Sequence, residues 1–386
     1  MGGLTLRRDR VTRIVYAELA VFGFFIYGFG PAVPLLRDEQ GISSAVSALH
    51  GTGLALGAIV AGMLGAPAVA LMGRGAVMRV ALVGLCAATG LLTASVAVPV
   101  TLLGATVAGI SAGLLVNTHA AILTDHHGAA AAAAISEANA VAAAVGILGP
   151  LALGAGVAIG VGWRAGLLVS VGLAAAALLY SRGTRMPDAP AVARPAPRSR
   201  VARLPAAYWM AWLIFVLCVA VEFCMTIWAS DLLRQRDGLH DGAATTAIFF
   251  MVAGMAVGRL TGSRLALRHR PEVLLGVALA VNGAGFALFW LSGVVVLAVV
   301  GLFVAGVGMA MQFPLNVSRA IAAAGGRSDV AAARTGIGAG LAIGTAPFAL
   351  GVLADAVGTA QGMLLVPGLL AAASIVLLAS RSANAS

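Results

Sequence analysis

Glu222 interrupts the apolar stretch WLIFVLCVAVEFCMTIW at residues 212–228, with no other charged side chain within eight positions. A charge in the middle of a bilayer costs on the order of 3 kcal/mol, so an acid in such a place needs a reason. Facing a water-filled cavity, Glu222 would be neutral while it holds a proton and hydrated once it has released it. That is the chemistry of proton coupling. The plainer alternative is a protonated or hydrogen-bonded structural acid between two helices. Glu18 is a second candidate for the same role. Its place, five residues after Arg13 and two after Tyr16, equally suits an interfacial carboxylate that is solvated or paired with arginine. Asn117, Thr118 and His119 form a polar run in an otherwise apolar segment. They could bind a solute or relay protons, or simply satisfy helix packing. Asn117, His119, Trp228 and Asn316 are the side chains expected to line a solute cavity.

The segments that carry these groups belong in lipid. Hydrophobic residues make up 61% of the chain and charged residues 10%, far below the roughly 25% charge of soluble domains. Apolar runs long enough to span a bilayer follow one another at 12–36, 43–69, 77–99, 101–124, 133–158, 163–181, 207–233, 243–266, 272–293, 295–321, 331–355 and 360–380. They are too long and too uniformly apolar for barrel strands, whose faces alternate, so the expected fold is all-α with twelve transmembrane helices.

The chain also repeats itself at an offset of 197 residues. GATVAG at 104–109 matches GLFVAG at 301–306, GPLALG at 149–154 matches APFALG at 346–351, and LLR at 35–37 returns at 232–234. A constant register over most of each half marks a duplicated architecture. Six helices per repeat is an even number, so both halves enter the membrane in the same direction and the repeat is parallel. Residues 183–205, GTRMPDAPAVARPAPRSRVARLP, oppose helix continuation with five prolines and five arginines. The expected organisation is therefore a six-helix bundle over 1–182, a linker over 183–205 and a second bundle over 206–386.

Charge orients the chain. All 24 basic residues are arginine, and nineteen fall on the side of the N-terminus, four on the other, with Arg259 inside helix 8. The positive-inside rule then puts both termini and the linker in the cytoplasm of a plasma-membrane protein. The net charge of +10 follows from this asymmetry. Arginines scattered over short loops suit anionic lipid headgroups and do not suggest nucleic acid. The N-terminal apolar run is too long for a signal peptide and is expected to remain as the first helix. Cys86, Cys218 and Cys224 lie within expected helices and read as buried thiols, not as a disulfide framework or a metal site. His126 and His127 beside Asp125 read as loop residues. No cofactor or metal is expected, and phosphate-loop or nucleophile motifs are absent.

Two parallel six-helix halves joined by a basic linker resemble the major facilitator superfamily over essentially the whole chain. Between helices 2 and 3, GAPAVALMGRGAVMR at 65–79 is similar to the family's loop signature on Gly73 and Arg74, with Ala70 where an aspartate is usual. GRLTGSRLALRHRPEVLL at 258–275 is the second copy, also without the aspartate. Gly162-Trp163-Arg164 resembles the usual start of helix 6. Gly149-Pro150 resembles part of a drug–proton antiport motif, although Leu153 replaces a glycine. Ala346-Pro347 stands at the equivalent place in the second half, which favours a structural kink in both halves. The glycine ladders Gly254, Gly258, Gly262 and Gly336, Gly340, Gly344 suit close helix packing.

The resemblance also implies a gate. Glu137 and Arg334 are repeat equivalents, each expected in the first turn of its helix on the termini side. The helix dipole favours glutamate there and disfavours arginine, so Arg334 calls for a partner. In the resembled fold, helices 4 and 5 face helices 10 and 11. An ion pair Glu137–Arg334 would then close the cytoplasmic gate in the outward-facing state, with Arg319 and Asp329 as competing partners. The alternative is two solvated charges that never meet.

These readings converge on a secondary active transporter, not an enzyme, working by alternating access as a monomer, coupled to protons by symport or antiport. No arginine lies at mid-depth in helices 1, 4 or 7, which favours a small neutral polar solute. Efflux of lipophilic drugs is the alternative within transport, and a non-transporting sensor or scaffold is the alternative outside it.

Overall fold

A computed structural model describes residues 7–187, 204–266, 268–324 and 328–382. Among them, twelve helices are long and apolar enough to cross a membrane, and no strand occurs. They are α1 (Arg10–Gln40), α2 (Ser44–Met72), α3 (Arg74–Ala94), α4 (Val98–His127), α5 (Ala134–Ala158) and α6 (Trp163–Ser181). The second set is α7 (Ala206–Asp237), α8 (Asp241–Gly262), α9 (Pro271–Leu291), α10 (Val295–Ala322), α11 (Arg334–Val357) and α12 (Thr359–Ser380). With an even number of crossings, the start of α1 and the end of α12 share one side, here the termini side. The opposite side is the far side. Of the linker expected at 183–205, residues 188–203 lie outside the described residues.

The 197-residue repeat reappears as repeated packing. Gly57 of α2 lies against the carbonyl of Thr106 in α4, and Gly254 of α8 lies in the same way against the carbonyl of Phe303 in α10. Gly109 against Leu54 and Gly306 against Met251 form the reciprocal pair. A Cβ at any of the four would collide with backbone, so these glycines let the helix axes approach as closely as helices in lipid do.

Prolines decide where the spans break. α5 consists of two helices, Ala131–Gly146 and Leu148–Ala158, and α10 of Val295–Met309 and Gln312–Ala322. Pro150 cannot donate to the carbonyl of Gly146, nor Pro314 to that of Ala310, and each break lies at that turn. Pro347, the repeat equivalent of Pro150, sits inside the unbroken helix Ser328–Val357. At Pro150 the helix is broken, whereas at the equivalent Pro347 the helix continues through the proline.

The helix starts also correct a placement. The helices that carry the spans α5 and α11 start before them, at Ala131 and Ser328, so Glu137 and Arg334 both lie in the second turn. The dipole falls off within the first turn, which weakens the argument that Arg334 needs an acid to offset it.

Candidate solute and proton site

The two halves are held together on the far side. Arg37 near the end of α1 forms a two-pronged contact with Asp231 of α7, at 2.8 and 2.9 Å. Asp231 is fully buried and also accepts from Arg234, at 2.8 Å, and from the Thr359 hydroxyl at 3.2 Å. Arg234 crosses back to Asp38 of α1 at 2.6 Å. Arg37 and Arg234 are repeat equivalents, so the pseudo-two-fold axis brings the two LLR copies face to face around one carboxylate. A second clasp joins α11 to α2. Asp355 accepts from the backbone amides of Ser44 and Ala45 at 2.7 and 2.8 Å, capping the first turn of a helix in the other half. Thr52 of α2 donates to the carbonyl of Gly344 at 2.6 Å.

Three polar groups from three helices converge inside the protein. Glu222 lies midway along α7. The Arg259 guanidinium of α8 lies within electrostatic reach of it, and also reaches the Tyr27 hydroxyl of α1. Glu222 and Arg259 do not make the contact within 4 Å that defines the protein's other ion pairs. Both, like Tyr27, keep partial exposure although they lie deep inside the protein. Tyr27 belongs to the first half, Glu222 and Arg259 to the second, so the cluster bridges the halves. Arg259 and Tyr27 were not singled out from the sequence as site residues. The signal was present: an arginine inside an apolar span raises the same question as Glu222.

The other expected site residues fall elsewhere. Glu18 and His119 are brought together, Oε2 to Nε2 at 3.0 Å, each only 1% exposed, inside the first half between α1 and α4. The second ring nitrogen of His119 is buried without a hydrogen-bond partner. Gly75, Met78, Arg79, Ser181, Thr184 and Met186 form a small crevice with Glu18. Asn117 is exposed on α4, whereas Thr118 is buried. Trp228 is fully buried and donates its indole N–H to the Pro347 carbonyl at 3.1 Å, so it packs within the second half and lines no cavity. Asn316 is also fully buried, bonded to the Gln312 carbonyl at 2.8 Å and close to the Cys218 sulfur.

On the termini side, the charged and polar contacts that the described residues make stay within each half. Glu137 accepts from Arg8 at 2.9 Å and from the Tyr16 hydroxyl at 2.9 Å. Arg334 stacks over Trp209 at 5.3 Å. Arg319 meets Glu272 at 3.5 Å and Ser380 at 3.3 Å. The Glu137–Arg334 pair is therefore not formed in this conformation. The Asp329 side chain, its expected competitor, lies outside the described residues. Where the usual loop aspartate is replaced by Ala70, Arg74 pairs with Asp125 at the end of α4, at 2.5 Å. Asp9 caps α1. Burial pushes its carboxyl up, but bonds from the Thr12 amide, the His126 ring and the Thr12 hydroxyl outweigh this and bring it down to about 2.

Among the described residues, ion pairs and a helix cap join the two halves on the far side, with an acid, an arginine and a tyrosine clustered inside. The profile of the Major Facilitator Superfamily matches residues 19–335. A crystal structure of a bacterial homolog of the human lysosomal transporter Spinster, in an inward-facing and unoccupied conformation, superposes with a TM-score of 0.76 at 15% identity, covering 97% of both chains. The nucleoside transporter NupG gives 0.72 at 11% identity over 96% of this chain and 98% of its own. The human organic anion transporter MFSD10 gives 0.65 at 16% identity over 97% and 100%. At these identities the likeness is one of fold. No curated protein matches the chain.

Proposed function

Because the chain belongs to the Major Facilitator Superfamily, and is a multi-pass solute transporter and not an enzyme, we propose that it moves a small organic solute by alternating access, coupled to protons. The observation that carries this reading is the one-sided clasp. The ion pairs and helix cap that join the halves stand on the far side, and Glu222, Arg259 and Tyr27 each keep partial exposure. A rocking motion that undoes Arg37–Asp231 and Asp355–α2 while bringing α5 and α11 together on the termini side would expose the same cluster to the other face. In that second state Glu137 and Arg334 come within reach of each other, Glu137 leaving Arg8 and Tyr16. With the arginine-rich side in the cytoplasm, the conformation described here faces inward.

Glu222 is the preferred coupling acid, because it is the one carboxyl at the centre among the described residues. The Glu18–His119 pair is the second candidate. It lies inside one half, where a proton could be stored without contact with the solute. Polar groups at mid-depth favour a solute with polar functions over lipophilic drugs. The test is solute accumulation in proteoliposomes under an imposed pH gradient, with exchange measured in the same preparation. Accumulation abolished by a protonophore supports the reading. Absence of both accumulation and exchange across a broad panel of small polar solutes would leave a sensor or scaffold in its place.

A further inference from the structure

Among the described residues, Arg259 differs from the other buried and half-buried arginines except Arg334, which stacks over Trp209 at the termini side. Arg37, Arg74, Arg164, Arg234, Arg236 and Arg319 each have a carboxylate within 4 Å. Arg259, in the third of α8 nearer the termini side and within a span where an unpaired charge is costly, has the Tyr27 hydroxyl near it and the Glu222 carboxylate within electrostatic reach but not within 4 Å. A guanidinium offers two parallel N–H donors that fit the two oxygens of a carboxylate, and a tyrosine hydroxyl beside it adds a third donor. From this juxtaposition we infer that the central site takes an organic solute bearing a carboxylate, held by Arg259 and Tyr27.

The inference rests on the transport reading above and names its substrate class. It replaces the neutral solute expected from the sequence, which followed from the lack of arginine at mid-depth in helices 1, 4 and 7. The fold brings one in from α8. It also specifies how proton and solute are linked. Within electrostatic reach of Glu222 stand Arg259 from α8, Tyr27 from α1 and Cys218 from its own helix. The helices α10, α11 and α12, which also pack on α7, add no titratable group that close among the described residues. A solute carboxylate on Arg259 sets a second negative charge beside Glu222, which Glu222 relieves by taking up a proton. By reciprocity, a proton on Glu222 tightens the hold on the carboxylate. Solute anion and proton then occupy the site together with no net charge.

The experiment uses the full-length protein in detergent and reads its thermal unfolding midpoint with lactate, benzoate and 4-aminobenzoate, each beside its neutral amide. At least one acid raises the midpoint while its amide does not, and more at pH 5.5 than at pH 8. Arg259→Gln weakens that binding at least tenfold, and Tyr27→Phe weakens it less. Glu222→Gln binds at pH 8 as the wild type does at pH 5.5. Variants are compared only where the midpoint without ligand shows a folded protein, and Tyr27→Phe serves if Arg259→Gln is unfolded. Stabilisation by no acid, by acid and amide alike, or undiminished in Arg259→Gln overturns the inference. Binding of the acid without exchange in proteoliposomes leaves it standing and removes the transport reading instead.

Discussion

A lone acid in an apolar helix acquires meaning from its neighbours. Glu222 has no charged residue near it in sequence, yet α8 delivers Arg259 to it and α1 delivers Tyr27. Glu222→Gln mimics the permanently protonated acid. It should retain solute exchange in proteoliposomes and lose accumulation driven by a pH gradient. Full gradient-driven accumulation by this variant would pass the coupling role to Glu18 and His119. Asp231 invites a different test. Breaking a buried ion pair by removing one partner costs about 3–5 kcal/mol, because the other charge is stranded. Asp231→Ala removes the buried carboxylate that Arg37 and Arg234 share and leaves them only the exposed Asp38 and Asp241, so it should shift the protein towards the conformation open on that side. A cysteine placed at Thr52 would then react faster with a membrane-impermeant maleimide, and an unchanged rate would count against the clasp. Asp9 has a simple pH signature. Its folded carboxyl titrates near 2, below the usual value of about 4. Its contribution to stability is therefore fully present above pH 4 and lost as the pH falls from there towards 2. Protection of the Thr12 amide, its exchange rate taken relative to the intrinsic rate at each pH, should fall over that window in the wild type, and Asp9→Ala should remove that fall.

At the scale of the helix, glycine and proline set the geometry. Gly57 and Gly254 bring α2 onto α4 and α8 onto α10 by equivalent contacts. Gly57→Ala or Gly254→Ala forces a Cβ into a backbone carbonyl and should destabilise the protein by about 1–3 kcal/mol, the usual cost of overpacking, read as a lowered unfolding midpoint. Gly62→Ala, where a Cβ meets open space, is the control and should leave the midpoint unchanged. The gate belongs to the same scale. If α5 and α11 meet on the termini side in the second conformation, Glu137→Arg sets two like charges together and impairs transport. Glu137→Arg with Arg334→Glu should partly restore it. Normal transport by both single variants would dismiss the gate. Sequence periodicity shows that a helix is present but not which turn it starts on, and a shift of one turn removes the dipole term.

At the scale of the whole molecule, the arginine asymmetry predicts the side of each loop. A cysteine at Arg185 should be protected from an impermeant reagent applied to intact cells, and one at His240 should react; the reverse pattern would invert the topology. Twelve spans, their parallel duplication and their lipid surroundings were legible in the chain itself, because apolar length and a 197-residue register are properties of consecutive residues. That an acid stands midway along a membrane span at Glu222 was legible for the same reason. Which charges meet was not. Glu18 found His119, Glu137 found Arg8 and Tyr16 in place of Arg334, and Trp228 turned its indole to the Pro347 carbonyl, away from any cavity. Contacts of this kind depend on helix rotation and on the crossing of helices far apart in sequence. A rotation of one residue, about 100°, moves a side chain from a lipid-facing stripe to a buried one without changing composition or hydropathy. The sequence alone therefore determined how many helices cross. Only the packed halves decided that an arginine, an acid and a tyrosine from three helices share one centre.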